Sequence, residues 1–158
     1  MKEITLIVKS TEIICKGNIA DNFEKLPHDL FNYLELGLIS HTDFTVYMKL
    51  TQFYNADFGY AFPTISQLMI YTRIASKHTI NRSIKNLVAV GLLRKGKTNN
   101  GNNVYCTYKP LSKVELYKQV PKEVQKLHEM QAKLLSTSKA DKVRWEEFKQ
   151  DQPEKVNH

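Results

Sequence analysis

Cysteine is scarce in this chain of 158 residues, and the scarcity excludes two kinds of site. Cys15 and Cys106 stand far apart, with no Cys-x-x-Cys spacing. This usage does not fit a disulfide framework or a zinc site, so we expect two free thiols in a reducing cytosol. The five histidines are equally scattered, without the i, i+3 or i+4 pairing that a helical metal site uses. The sequence therefore predicts a cytoplasmic protein with no metal and no cofactor.

Long apolar runs and glycine-rich phosphate loops are missing as well. No stretch approaches the roughly 20 apolar residues of a membrane span, and the first residues do not have the pattern of a signal peptide. Neither Gly-x-x-x-x-Gly-Lys nor Gly-x-Gly-x-x-Gly occurs. Carboxylates cluster only near the C-terminus, where a solvated surface is the usual explanation. We predict a protein that is not an enzyme and does not associate with a membrane.

Acidic residues are absent from a long central stretch of the chain. Between Asp57 and Glu115 there is no Asp or Glu, although the net charge of the whole chain is only +7. A region of this bias has the electrostatic character of a polyanion-binding surface. The interval holds nine positive side chains: Arg73, Lys77, Arg82, Lys85, Arg94, Lys95, Lys97, Lys109 and Lys113.

Two short amphipathic segments lie within this basic interval. Thr64 followed by Gln67 has the form of a capping box, and the apolar residues after it follow helical spacing. Ser76 is placed to cap a second helix, and Gly91 stands where a left-handed residue would end it. Two helices with so short a connection predict a helix-turn-helix.

The second helix is predicted to have two different faces. Ile80, Ile84, Leu87 and Val88 form one apolar stripe. At about 100° per residue, the opposite face is polar and basic. It is predicted to carry His78, Thr79, Arg82, Lys85 and Asn86.

A β-hairpin is predicted directly after this helix. The run LLRKGKTNNGNNVYCTY has two strand-like segments, and Asn100-Gly101 between them is a strong turn signal. A helix-turn-helix followed by a hairpin is a winged helix. The predicted fold is α+β, a winged helix-turn-helix with an N-terminal β-hairpin and a long C-terminal helix.

Four segments are predicted along the chain. Residues 1–22 form N-terminal strands, 23–111 the winged-helix domain, 112–150 a helical region and 151–158 a frayed tail. Within the domain, Pro27 suits the first position of a helix that Gly37 ends, and Ser40 with Asp43 caps the next helix. The aromatic residues between positions 44 and 58 follow helical spacing, so we expect them in the core rather than on a base-stacking platform.

The C-terminal region allows two interpretations. Pro121 should kink or restart its helix. Val120, Val124, Leu127, Gln131 and Leu134 follow steps of four and three residues, a short coiled-coil signal that would support a homodimer. The alternative is an amphipathic helix packed back on its own domain.

Several strings in the chain resemble one group of proteins. They are Phe23-x-Lys25-Leu26-Pro27-x-Asp29-Leu30, Ser40-x-x-Asp43-Phe44-x-Val46-Tyr47-x-x-Leu50, Pro63-Thr64-Ile65-x-x-Leu68, and Ser76-x-x-Thr79-Ile80-x-Arg82-x-Ile84-x-x-Leu87-x-x-x-Gly91-Leu92-Leu93. Residues 23–108 are thus similar to winged-helix domains of plasmid and phage replication initiators, of DnaD-like replisome organisers of Gram-positive bacteria and of related mobile-element regulators. We expect this protein to be a short relative, without the further large domain that is usual in such replication proteins. The resemblance implies a helix from Ser76 that reads the major groove and a wing, Arg94 to Asn103, on the backbone or minor groove.

The predicted function is sequence-specific binding of double-stranded DNA, in replication initiation or transcriptional regulation of a plasmid or phage. Arg and Asn can contact guanine and adenine bidentately, whereas Lys suits phosphates. A protein–protein adaptor on a winged-helix scaffold is the alternative, because one fold serves many functions. The candidate DNA-binding residues are Thr64, Ser66, Ser76, Lys77, His78, Thr79, Asn81, Arg82, Lys85, Arg94, Lys95, Lys97, Asn99, Asn100 and Asn102.

Overall fold

A computed structural model describes residues 21–137 and 139–150 of the chain. The predicted N-terminal strands and the predicted frayed tail lie outside these residues. The described elements are α1 (Leu30–Glu35), α2 (His41–Gln52), α3 (Ile65–Thr72), α4 (Lys77–Ala89), β1 (Leu93–Lys97), β2 (Asn103–Thr107), α5 (Lys113–Gln119), α6 (Pro121–Thr137) and α7 (Lys139–Gln150). The predicted helix-turn-helix and hairpin correspond to α3, α4, β1 and β2.

Helix α1 begins later than the sequence predicts. The Leu30 amide donates to the Pro27 carbonyl at 3.1 Å, and the next two amides also bond three residues back. This tighter 3₁₀ pattern delays the α-helix proper to Leu30. The prediction that Pro27 takes the first helical position is therefore wrong. Gly37 does follow the end of the helix, with a φ of +70° that favours glycine.

The predicted helix caps are confirmed. At the start of α2, the Ser40 hydroxyl accepts from the Asp43 amide at 3.1 Å, and the Asp43 carboxylate accepts from the Ser40 amide at 2.9 Å. Thr64 and Gln67 form the same reciprocal pair before α3. The Ser76 hydroxyl accepts from the amide of its third neighbour at 3.3 Å and starts α4. These bonds satisfy amides that the helix itself leaves unpaired.

The core lies where α2, α4 and the hairpin meet. Helix α2 packs against α3, α4 and β2, and α4 packs against α3 and β1. Within α4, Ile80, Ile84 and Leu87 are buried as predicted, whereas Val88 is 43% exposed. The prediction that Val88 belongs to the buried stripe is wrong. The fourth buried residue of α4 is instead Ser83, which is 3% exposed.

A single residue before α3 pairs with the hairpin as a third, very short strand. Strands β1 and β2 pair antiparallel, with Leu93 opposite Thr107 and Lys97 opposite Asn103. On the far side of β2, Ala61 and Tyr105 exchange both of their backbone hydrogen bonds at 2.8 Å. The segment between α2 and α3 is thus fixed to the hairpin.

The C-terminal helices begin on the domain and then extend past its core. Leu116 of α5 and Leu127 of α6 are buried with the core residues, and Val120 and Val124 pack against them. Seven residues after Leu127 on the same helix, Leu134 is 60% exposed. The first half of α6 therefore packs back on the domain, as one of the two interpretations expects. Beyond Leu127, the large apolar side chains of α6 are more than half exposed.

Candidate nucleic-acid interface

The turn between α3 and α4 is held by local hydrogen bonds. The Thr72 hydroxyl donates to the Leu68 carbonyl at 2.6 Å and accepts from the Ile74 amide at 3.4 Å. Arg73 adopts a left-handed conformation, with φ of 58°, and ends α3. Such a conformation reverses the chain sharply, at a cost for any residue except glycine. The connection is short enough to place α4 across α3, as a helix-turn-helix requires.

Helix α4 presents a continuous polar and cationic face. Its buried positions are Ile80, Ser83, Ile84 and Leu87. Because successive residues turn by about 100°, the middle of the opposite face carries His78, Arg82 and Lys85. Most of the predicted contact residues of this helix are exposed: Lys77, His78, Asn81, Arg82 and Lys85. Thr79 is half-buried.

Asn86 does not lie free on that face, contrary to the sequence prediction. Its side-chain amide donates to the Asp43 carboxylate at 2.7 Å and to the Leu38 carbonyl at 3.1 Å. Asn86 therefore joins α4 to α2 rather than facing a ligand. Arg82 lies beside this contact and borders an open cavity of about 400 Å³ with Ser40 and Thr42.

The hairpin presents a second set of positive side chains. Arg94, Lys95 and Lys97 are all exposed. Alternate residues of a strand face the same way, so Lys95 and Lys97 share one face of β1 and Arg94 takes the other. At the tip, the Thr98 amide donates to the Asn102 carbonyl at 2.9 Å, and Gly101 has a φ of +79°. This closes the predicted turn with Asn99, Asn100 and Asn102 exposed.

The remaining predicted contact residues lie at helix starts. The hydroxyls of Thr64 and Ser76 already accept backbone hydrogen bonds as caps, although both residues are exposed. Ser66 is exposed in the first turn of α3. These three residues can approach a phosphate, but the two capping hydroxyls also have a structural task.

Sequence reasoning missed a cluster of aromatic side chains beside the hairpin. Phe58 is 60% exposed and Tyr54 is 53% exposed, so the expectation that the aromatics of this region lie in the core is wrong for both. It is correct for Tyr47, whose hydroxyl donates to the Tyr108 carbonyl at 2.7 Å and whose pKa is raised by burial. The alternation of Tyr60-Ala61-Phe62 was the signal, since period two indicates an extended segment, whereas Phe58 lies in the turn before it.

Metal-binding clusters and membrane-spanning helices are both missing from the described residues. Within residues 21–137 and 139–150, no group of three or more His, Cys, Asp or Glu side chains could hold a metal ion. None of the helices in this part of the chain combines the length and apolar character that crossing a bilayer requires.

Comparison with known proteins agrees with the helix-turn-helix geometry. A family model for a helix-turn-helix domain matches residues 36–93, which is less than half of the chain but includes α2, α3 and α4. No curated protein matches the chain.

Two solved structures show a weaker likeness. The first is the N-terminal domain of a DNA-binding protein, 19% identical with a TM-score of 0.46, covering 73% of this chain and 96% of the other. The second is a possible transcriptional regulator from Methanosarcina mazei Go1, 18% identical with a TM-score of 0.37, covering 77% and 96% respectively. Both scores are low, so the fold assignment rests on the geometry of this chain and on the family match.

Proposed function

We propose that this protein binds double-stranded DNA in a sequence-specific manner, through α4 and the β1–β2 hairpin. The observation that carries the proposal is the charge of these two neighbouring elements. Their exposed sides carry Arg82, Lys85, Arg94, Lys95 and Lys97, and no Asp or Glu occurs from residue 58 to residue 114. Phosphate neutralisation by Lys and Arg supplies much of the affinity of proteins for DNA.

Within this proposal, α4 enters the major groove with its exposed face. Arg82 and Asn81 are suited to bidentate contacts with guanine and adenine, respectively, and Lys77, His78 and Thr79 lie near the helix start, where base edges are approached. Lys85, Lys95 and Lys97 hold phosphates and set the register of the protein on the duplex. The hydrogen bond between Asn86 and the buried Asp43 keeps α4 at a fixed orientation while it does so.

The biological role that we propose is replication initiation or transcriptional regulation on a plasmid or phage. Its support is the resemblance of residues 23–108 to domains of such proteins. We also propose that the protein acts as a homodimer through its C-terminal helices. The exposed apolar residues of α6 past Leu127 support this, because one winged helix alone buries little surface on DNA.

Electrophoretic mobility shift over a salt series tests the DNA proposal. We expect binding to a random duplex pool at low salt, with affinity falling steeply as salt rises. Selection of bound sequences from random duplexes should then enrich one motif, and an inverted repeat would show the symmetry of a dimer. Absence of binding even at low salt would contradict the proposal and favour the adaptor alternative.

A further inference from the structure

Three aromatic rings line one side of an open cleft beside the hairpin turn. The Phe58 and Tyr60 rings stack with centroids 6.0 Å apart, and Phe62 meets Phe58 edge-on at 5.6 Å. Ala61 between them is 1% exposed and points into the core, whereas Phe58 is 60% exposed. Tyr60 and Phe62 flank Ala61 in an extended segment and so face away from the core, and the turn at residues 56–59 brings the Phe58 ring against both.

The backbone under these rings is held in place by several hydrogen bonds. The Asn55 side-chain oxygen accepts from the amides of Asp57 and Phe58 at 2.9 and 3.2 Å. The Gly59 amide donates to the Asn55 carbonyl at 2.8 Å, and Ala61 pairs with β2. The rings are therefore presented on a fixed turn, which lowers the entropy cost of binding a ligand between them.

The opposite wall of the cleft is the tip of the hairpin. The complete lining consists of Phe58, Tyr60, Phe62, Thr98, Asn99, Asn100 and Asn102, around a cavity of about 480 Å³. We call these seven residues the aromatic cleft. Its volume falls in the range of about 300–1,000 Å³ that small-ligand sites have. The asparagine amides offer both donors and acceptors to an occupant.

The chemistry of the aromatic cleft favours one class of occupant. Aromatic faces stack on any nucleobase, and amides can bond to base edges that pairing leaves free. No lining residue is acidic, and the exposed Arg94 of β1 lies on the outer face of the hairpin, the face that the rings share. A proline-rich peptide also binds in aromatic grooves, but such binding does not require the positive charge of the hairpin.

We propose that the aromatic cleft binds an unpaired nucleotide of a DNA single strand that adjoins the duplex held by α4 and the hairpin. This inference rests on the proposed duplex binding and adds a preference for a junction between double-stranded and single-stranded DNA. The exposed rings take the base by stacking, and the asparagines of the hairpin tip bond to its edge. Arg94, which β1 presents on the same face of the sheet as the rings, holds an adjoining phosphate.

The test compares a blunt duplex with the same duplex carrying a short thymine overhang, at either end polarity. The full-length protein should bind one overhang duplex more tightly than the blunt one. A 2-aminopurine placed in that overhang should lose fluorescence on binding, because stacking on an aromatic ring quenches it. Equal affinity for all duplexes and unchanged fluorescence would overturn the proposal.

Substitutions in the cleft make the test specific. Phe58→Ala should weaken binding to the overhang duplex by about 5-fold to 100-fold, the usual effect of losing one base-stacking ring, and should abolish the quenching. Binding to the blunt duplex should not change. Phe58→Trp should keep both properties, since it retains a stacking face. Tyr54→Ala is the matched control, because Tyr54 is similarly exposed but lies outside the cleft.

Failure of this inference and failure of duplex binding give different results. If blunt duplex binds with a steep salt dependence but the overhang adds nothing, only the aromatic cleft is wrongly assigned. If no duplex binds, the proposed function fails, and a single-stranded thymine oligonucleotide containing 2-aminopurine still tests the cleft. Binding of a proline-rich peptide that is lost in Phe58→Ala, without any effect of the overhang, would assign the cleft to a protein partner.

Discussion

The Asn86 side chain donates a hydrogen bond of 2.7 Å to the carboxylate of Asp43, and so joins the last turn of α4 to the first turn of α2. The same carboxylate oxygen accepts the Ser40 amide at 2.9 Å as part of the helix cap. Asp43 is only 5% exposed. One buried acidic group thus serves both the end of one helix and the orientation of another.

Removing the amide should destabilise the fold. Asn86→Ala leaves Asp43 with one partner fewer in a buried place, and a missing partner of a buried charged group costs about 1–3 kcal/mol or more. Chemical denaturation should show that decrease in the free energy of unfolding. Asn81→Ala, on the exposed side of the same helix, is the control and should change stability little. Equal stability of the two variants would show that the bond to Asp43 contributes nothing.

Features set by near neighbours in the sequence were predictable. The caps at Ser40, Thr64 and Ser76 depend on a partner three residues away, and the basic face of α4 follows from helical spacing alone. The hairpin turn likewise depends only on the adjacent residues Asn100 and Gly101. These parts of the fold and of the candidate site therefore follow from the sequence alone.

Features set by distant partners were not predictable. Helical spacing placed Asn86 on the surface because its partner Asp43 is 43 residues away. The aromatic cleft was missed because its two walls come from separate segments, which meet only when Ala61 pairs with Tyr105. Helical spacing likewise placed Val88 in the stripe, although the neighbours of α4 cover the side of Ser83 instead.

The packing of α4 can be tested by a matched pair of substitutions. Ile84→Ala removes a side chain that is 3% exposed and should lower the free energy of unfolding by about 2–5 kcal/mol, because a cavity remains. Val88→Ala, one turn farther, should cost less than about 1 kcal/mol because that side chain is half exposed. Thermal or chemical denaturation gives both values. A larger effect for Val88 than for Ile84 would mean that the helix is rotated about its axis.

Arg82 should contribute sequence preference. Arg82→Ala is expected to weaken binding to the best selected site by about 1–3 kcal/mol and to relax the preference at one base pair. Titration of the selected site and of its single-base variants measures both effects. Lys126→Ala removes the same charge from the exposed surface of α6 and serves as the control. An equal effect of Arg82→Ala on every sequence would assign Arg82 to a phosphate instead.

The β1 lysines should act through charge alone. Replacing both Lys95 and Lys97 by Ala should weaken binding to all duplexes about equally. The slope of log affinity against log salt should fall by about 0.9 for each phosphate that is no longer neutralised. A salt series on selected and unselected duplexes measures both the affinity and this slope. If the weakening is confined to the selected sequence, the hairpin reads bases.

The proposed homodimer should depend on the exposed apolar end of α6. Leu127 is buried with the core, so truncating the chain before it would damage the domain and would not report on association. Leu134→Glu is the sharper test, since Leu134 is 60% exposed and lies seven residues past the buried Leu127 on the same helix. Two glutamates meeting across a symmetric contact repel each other, at a cost of several kcal/mol.

Light scattering should therefore find a dimer for the unaltered protein and a monomer for Leu134→Glu at the same concentration. Binding to an inverted repeat should weaken, because two linked domains gain from a high effective concentration on adjacent half-sites. Ala132→Glu adds the same charge at an exposed position on the other side of α6, about 160° around the helix from Leu134, and should leave the dimer intact. An unaltered protein that is monomeric at high concentration would end the dimer proposal, and the exposed end of α6 would then remain as a surface for a different protein.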